Sequence, residues 1–391
     1  MKKLLFINGH MNPGGAEKSL LDILKHIDYS KYHVELLLLE EFGDYTDEIP
    51  KEVEVRLFDL HNTYGNIFSS VKKCIKQRDW KNIFVRFVFA CTHFCGINSL
   101  KWLEKIIVGN EKYDCVIAFR PGIATNLAAY AVDARKRITW WHHGEINLNE
   151  NQRKEYEIVC REMDRIIAVS DSCAKLLADC FPMHKDKITV IPNMIDTEQL
   201  RIKADAYLPF DKQIGVHNLV TVGRLSPEKH IENVIVVAKT LVEQNEVFRW
   251  FVIGAGDQQS RLEQMIRENG IEKFVFLVGR KENPYPYMKQ ADLFVHPSYV
   301  ESQGLVVLEA MALGVPCVVT KSLGPCEFIK NGVTGLLTEQ SPESLTEQVI
   351  KILRDKMLYE KIKENVCCPD CFKPEMVMEL IYWVIEEEVK I

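Results

Sequence analysis

HPSYVESQGLVVLEAMALGVPCVV, residues 296–319, is the stretch that decides how the rest of the chain is read. Residues 293–296 read as the end of a buried strand, 297–301 as a loop, 305–313 as a short helix and 317–320 as the next strand. Ser302 is placed to cap the start of the helix, and Gly314 and Pro316 close it. That order is a βαβ unit. Glu309 is the one charge in the apolar run LVVLEAMAL, and a carboxylate there needs water or hydrogen-bond donors, because an unpaired buried charge is costly. Glu301, eight residues earlier, falls on a loop at a strand's carboxyl end, where open α/β sheets bind ligands. The plain alternative is that both glutamates are simply solvated.

Their surroundings argue otherwise. The pattern PSxxESxGLxxLEAMAxGxPxV closely resembles the E-x7-E motif of the retaining, nucleotide-sugar-dependent glycosyltransferases of family 4, which have the GT-B fold. The resemblance implies an α/β protein with two Rossmann-like domains facing each other across a cleft. It places Glu309 on the ribose hydroxyls of the donor and Glu301 beside the donor sugar. The Gly304 and Leu305 amides would face the diphosphate, as the helix dipole and free N–H groups favour. Gln303 stands where many members have Phe, a difference that bears on the sugar pocket.

The same order of features runs along most of the chain. Residues 2–8 read as a first strand, followed by Asn12-Pro13-Gly14-Gly15 and an amphipathic helix. Glycines there let backbone approach a ligand, although many such turns are only tight turns. The family's GGxE loop after its first strand touches phosphate and acceptor, and Gly14, Gly15 and Glu17 match it. Residues 137–141 read as a strand ending at His142-His143, at the ligand edge of such a sheet. The resemblance favours His142 as the histidine close to donor sugar and acceptor. Residues 218–222 lead into GRLSPEK, where Arg224 and Lys229 bracket a turn and form a natural diphosphate site. In the family they neutralise the leaving nucleotide. Residues 275–277 lead to Val278 and Arg280, which the resemblance places near the base. GAGDQQ at 254–259 is not a GxGxxG fingerprint and reads as no dinucleotide site.

Length and composition set the frame. With 391 residues, 47% hydrophobic and 27% charged, the chain suits two soluble domains. Boundaries fall at 1–196 for an acceptor-side domain, 197–374 for a nucleotide-sugar domain and 375–391 for a helix crossing back. Residues 197–217, charged and carrying Pro209 and Gly215, read as the crossover. The net charge of −6 gives no drive toward nucleic acid. The first apolar run, residues 4–7, is shorter than the roughly 7–15 residues of a secretory segment. Twelve scattered cysteines without an export signal suggest reduced thiols and a cytoplasmic location. The cluster Cys367, Cys368 and Cys371 lacks a second pair or a nearby His to complete a zinc set. There is no D-x-D pair, which fits a metal-independent route without any cofactor, using a UDP-, GDP- or ADP-sugar as donor substrate.

Residues 71–108 have a different texture. Eight cations, Lys72, Lys73, Lys76, Arg78, Lys81, Arg86, Lys101 and Lys105, face only Asp79 and Glu104, with Trp80, Phe84, Phe87, Phe89, Phe94 and Trp102 interleaved. This is a poor spanning helix, but its basic aromatic character suits an anionic membrane surface. The competing reading is packing on the N-terminal sheet with charges in water.

The expectation is therefore a retaining glycosyltransferase acting on a glycan or polyprenyl-linked acceptor in surface polysaccharide or glycoconjugate synthesis, cytoplasmic or peripheral on the inner membrane face. Its catalytic residues would be His142, Arg224, Lys229 and Glu301. The alternatives are a nucleotide-sugar epimerase of the same fold and a catalytically silent donor-binding subunit.

Overall fold

Apolar runs too short for helices and too uniformly hydrophobic for one-sided strands form two parallel sheets in the computed structural model, which describes residues 1–40, 43–60, 74–75 and 78–387. The first sheet contains β1 (Lys2–Asn8), β2 (Tyr32–Leu38), β3 (Glu54–Leu57), β4 (Tyr113–Ala118), β5 (Ala134–Trp141), β6 (Arg165–Ala168) and β7 (Ile188–Val190). Their order is β3-β2-β1-β4-β5-β6-β7. The second contains β8 (His217–Val222), β9 (Phe248–Ile253), β10 (Val275–Leu277), β11 (Leu293–His296), β12 (Cys317–Thr320) and β13 (Leu336–Thr338), in the order β10-β9-β8-β11-β12-β13. Helices cover both faces, which is why β1 alternates nothing. Leu4 and Phe6 enter one core cluster while Leu5 and Ile7 enter another, and all four are buried.

Each sheet reverses its winding once, between β1 and β4 and between β8 and β11. At such a point the loops leaving the two strands diverge and open a crevice at the carboxyl edge. The chain divides into two compact units, Met1–Met194 with Val377–Ile391, and Ile195–Met376. The last helix, Pro374–Glu386, belongs to the first unit from Val377 onward. It buries Val377, Met378, Ile381, Val384 and Ile385 in that unit's core. Tyr382 stacks on Tyr32 at 5.4 Å, and the Tyr32 hydroxyl donates to Glu386 at 2.6 Å.

Three local expectations need correction or division. Ser302 does not cap the helix Leu305–Ala312. Gly304 is its N-cap in the left-handed region at φ +82°, with no side-chain cap. A Cβ at Gly304 would lie 2.9 Å from Pro325 Cγ, so close packing of the neighbouring loop sets this helix start. Residues 197–217 are not a plain crossover. They begin with the helix Thr197–Ala204, whose N-cap Asp196 accepts from the Glu198 and Gln199 amides, and Leu200 and Ala204 join the second unit's core.

In the 71–108 segment, Lys72, Lys73 and Lys76 lie outside the described residues. The helix Trp80–Cys95, capped by Asp79, buries Val85 and Val88 beside Leu5, Ile7 and Val116. Its other side leaves Trp80, Phe84, Phe87 and Phe94 exposed. Sheet packing thus accounts for the inner face and leaves the aromatic face uncovered. Among the described residues, no helix is long and apolar enough to cross a membrane.

Candidate active site

In the second unit, the loops leaving β8 and β11 are tied together across the switch point. The short turn Pro227–Lys229 presents the Lys229 ammonium 2.6 Å from Glu301 Oε1. His296, the last residue of β11 and 2% exposed, reaches the same oxygen through Nε2 at 2.7 Å. Burial opposes ionisation of Glu301, but the His296 hydrogen bond and the Lys229 charge overcome it and hold the carboxyl at about 2. An ionised carboxylate only accepts, so His296 Nε2 carries the proton. Around this pair, His230 stacks on Tyr299 at 3.7 Å, and Asn233 donates to the Tyr299 hydroxyl at 3.2 Å. The Ser298 hydroxyl donates to the Glu228 carbonyl at 3.2 Å.

Arg224 stands exposed on the loop after β8, where its charge helps keep the Glu228 carboxyl low against burial. The glycine turn after β9 braces this loop. Leu225 N donates to Ala255 O and Gln258 N to Leu225 O, each at 3.0 Å, and a Cβ on Gly254 would overlap the Gly223 carbonyl. GAGDQQ is therefore support for the Arg224 loop, fixed by close backbone approach.

Glu309 is buried, 3% exposed, and Tyr285 donates to its Oε1 at 3.0 Å. Tyr285 opens the helix Tyr285–Gln290. Gly304 and Leu305 form the start of the helix carrying Glu309, and Gly324 N from the loop after β12 donates to Glu301 O at 3.2 Å. Val278 and Arg280 lie on the same carboxyl edge, beyond β10, the outermost strand on that side.

The first unit carries its own group at its switch point. Gly14 is the N-cap of the helix Gly15–His26. Glu17, 1% exposed, folds back so closely that a Cβ on Gly14 would overlap its Oε2. Arg120, on the loop leaving β4, pairs with Glu17 Oε1 at 2.5 Å. His142, just past β5, packs on Phe119 at 4.7 Å. Burial, then the Arg120 and His143 charges, push its imidazole down to about 3, with the hydrogen bond to the Phe119 backbone working the other way. His142 is neutral near pH 7, and its Nε2 is buried without a hydrogen-bond partner among the described residues.

The structure therefore gathers Lys229 and Glu301 around one contact, sets Arg224 beside them in sequence, and seats Glu309 on Tyr285. It also gathers Gly14, Glu17, Arg120 and His142 at one edge of the other unit. Sequence reasoning missed His296, Tyr285, Tyr299 and Arg120 as site residues. His296 was legible as the polar end of an apolar strand five residues before Glu301, whereas Tyr285 and Arg120 carry no spacing signal.

Among the described residues, His33, Glu35 and Glu54 form a cluster close enough to hold a cation. Glu35 there is already paired with Lys3 at 2.7 Å and Arg56 at 3.1 Å.

Two parallel sheets of this topology define a two-domain α/β GT-B fold. The family profile described as glycosyl transferases group 1 matches residues 213–366, and that described as glycosyltransferase family 4 matches residues 13–199. The chain belongs to the group 1, family 4 glycosyltransferases. It is 28% identical to N-acetyl-α-D-glucosaminyl L-malate synthase of Bacillus anthracis over 59% of this chain and 62% of that one. It is 25% identical to the Escherichia coli UDP-Gal:α-D-GlcNAc-diphosphoundecaprenol α-1,3-galactosyltransferase over 72% of this chain and 78% of that one. The Anabaena HepE structure in complex with UDP and glucose superposes with a TM-score of 0.71 at 19% identity, covering 99% of this chain and 100% of that one. Matches to the first curated relatives span between 54% and 66% of their length.

The Glu301 shift has a stability consequence. Its folded value lies below the ordinary carboxyl value of 4.5, so its contribution is fully present above that pH and is lost as pH falls toward 2. Glu301→Gln should flatten the acid limb of stability between about pH 4.5 and 2, measured by urea unfolding as a function of pH. An unchanged acid limb would contradict the ion-paired assignment.

Proposed function

We propose that the chain is a retaining glycosyltransferase that moves a sugar from a nucleoside diphosphate to a glycan or polyprenyl-linked acceptor, in surface polysaccharide or glycoconjugate synthesis. The observation that carries this reading is the Lys229–Glu301–His296 contact at the second switch point, with Arg224 on the loop after β8 and Glu309 on the helix that follows the Glu301 loop. In it, Arg224 and Lys229 meet the diphosphate, whose negative charge grows as the glycosidic bond breaks. The Gly304 and Leu305 amides at a helix start add to that stabilisation. Glu309, steadied by Tyr285, accepts from the ribose hydroxyls, and Glu301 faces the sugar. Val278 and Arg280 border the base.

The first unit contributes Gly14 and Gly15 on the phosphate side, while neutral His142 offers a hydrogen bond to sugar or acceptor without adding positive charge. Retention follows from attack on the face the leaving group departs. The acceptor oxygen bonds to the anomeric carbon, the carbon–phosphate oxygen bond breaks, and the acceptor proton passes to the departing diphosphate. No metal or cofactor enters this scheme. The UDP in the Anabaena structure and the UDP-galactose in the E. coli enzyme's name support a uridine donor, with GDP- and ADP-sugars as the comparison. That same name supports a diphosphate-polyprenyl acceptor.

A thermal-shift and turnover panel of UDP-, GDP- and ADP-sugars tests the donor. One of them at about 100 times its dissociation constant should add roughly 2.7 kcal/mol of stability. Glu309→Gln should weaken even the free nucleoside diphosphate, Glu301→Gln chiefly the sugar-bearing donor, and Lys229→Ala turnover. Equal losses for diphosphate and sugar donor in both glutamate variants would contradict the assignment, as would wild-type turnover in a folded Lys229→Ala.

A polyprenyl-linked acceptor places the chain as a peripheral protein on the inner face of a membrane. Exposed Trp80, Phe84, Phe87 and Phe94, with the exposed cations Arg78, Lys81, Lys101 and Lys105, support this placement. Each Lys or Arg near an anionic surface contributes about 1 kcal/mol. The protein should sediment with anionic but not neutral liposomes at low salt, with part of the binding surviving high salt through the aromatics. Protein left in the supernatant with anionic vesicles would overturn the placement and favour a soluble acceptor.

A further inference from the structure

His230, the residue after Lys229, has a left-handed backbone, with φ +47° and ψ +42°. Among the described residues only Arg78, His230 and Asn245 combine a side chain with a positive φ, and His230 is the one beside the site. The chain path requires that conformation. The short turn Pro227–Lys229 ends there, with His230 N donating to Pro227 O at 3.1 Å. The helix Glu232–Glu243 begins two residues on, with Asn233 N donating to His230 O at 3.0 Å. Glycine adopts a left-handed φ freely, whereas a side chain there is strained. Such strain persists where the side chain supplies something its surroundings use.

The imidazole supplies a contact between two loops. It stacks on Tyr299 with ring centroids 3.7 Å apart and planes 25° from parallel, and its Nδ1 lies 3.4 Å from Glu232 Oε1. Tyr299 is fixed in turn, its hydroxyl accepting from Asn233 at 3.2 Å and its carbonyl from Gln340 Nε2 at 3.1 Å. On the same loops Ser298 donates to Glu228 O at 3.2 Å, and Lys229 meets Glu301 at 2.6 Å. Glu228, Lys229 and His230 are thus tied to Ser298, Glu301 and Tyr299. Lys229 is the middle member, on a long side chain with much rotamer freedom, and both its chain neighbours are held.

We propose that His230 is a positioning residue, its stack on Tyr299 holding the Lys229 ammonium at Glu301, where it meets the leaving diphosphate. The inference rests on the transferase reading above and extends it to a residue that acts through Lys229. Charge on the diphosphate grows in the transition state, so a misplaced ammonium slows the chemical step more than it weakens donor binding. A ring that merely packed the turn would give the opposite ranking of variants, with glycine the best tolerated.

Three variants of the full chain separate ring from backbone. His230→Gly relieves the backbone and removes the ring. His230→Asn tolerates the left-handed region but cannot stack, and His230→Phe keeps a ring on a less tolerant backbone. In steady-state sugar transfer, kcat should fall about tenfold in the Gly and Asn variants with KM within about threefold, while His230→Phe keeps at least about half the activity. Wild-type kcat in His230→Gly, a loss confined to KM, or a folded His230→Phe no more active than His230→Gly would overturn the proposal. The Gly and Asn variants decide the matter alone if His230→Phe does not fold.

A substrate-free measurement keeps the two readings apart. Burial raises the Glu301 carboxyl, and the His296 hydrogen bond followed by the Lys229 charge brings it down to about 2. With Lys229 released, the loss of stability between pH 4.5 and about 2 should be shallower in His230→Gly than in the unmodified protein, by urea unfolding. An unchanged acid limb in His230→Gly would sink the positioning role whether or not sugar is transferred. A shallower limb with no transfer by the unmodified protein would sink the transferase reading alone.

Discussion

The carboxyl edge of the second sheet is tied together by one part-buried carboxylate held ionised. Glu301 is held between Lys229 and His296, and that contact joins loops leaving two strands whose connections wind in opposite directions. Without a tie, such loops diverge. With it, the GRLSPEK turn and the start of the helix carrying Glu309 are held at one edge. The surrounding packing serves the same end: His230 on Tyr299, Ser298 on the Glu228 carbonyl, and the Gly254 turn under Leu225. The Lys229 ammonium is held in place by its pairing with Glu301 at 2.6 Å.

The two units solve opposite electrostatic problems with the same topology. In the second, partners defeat burial and Glu301 stays charged. In the first, burial is reinforced by Arg120 and His143, and His142 stays neutral. One unit thus presents a charged acid beside a cation, and the other an uncharged imidazole whose Nε2 has no hydrogen-bond partner among the described residues.

Much of this was legible in the sequence, for identifiable reasons. Parallel strands buried on both faces leave uninterrupted apolar runs, so 2–8, 218–222 and 317–320 announced themselves with little error at their ends. Glu309 stood out because a carboxylate inside LVVLEAMAL needs water or hydrogen-bond donors, and Glu301 because it falls on a loop at a strand's carboxyl end. What stayed hidden depends on contacts between distant loops. Ser302 looked like a helix cap because capping is judged from nearest neighbours, whereas Pro325, some twenty residues on, fixes that helix start. Tyr285 and Arg120 acquire meaning only when folding brings them to Glu309 and Glu17. The aromatic segment 71–108 was ambiguous because its inner and outer faces do different things, and periodicity alone does not say which face a sheet covers.

The most direct test of the central claim is a structure of the protein with an intact nucleotide sugar bound. The account predicts the diphosphate against the Arg224 guanidinium and the Lys229 ammonium, the ribose hydroxyls on the Glu309 carboxylate, and the sugar beside Glu301. A nucleotide bound away from the β8 and β11 loops, with Lys229 still engaged by Glu301 alone, would contradict it.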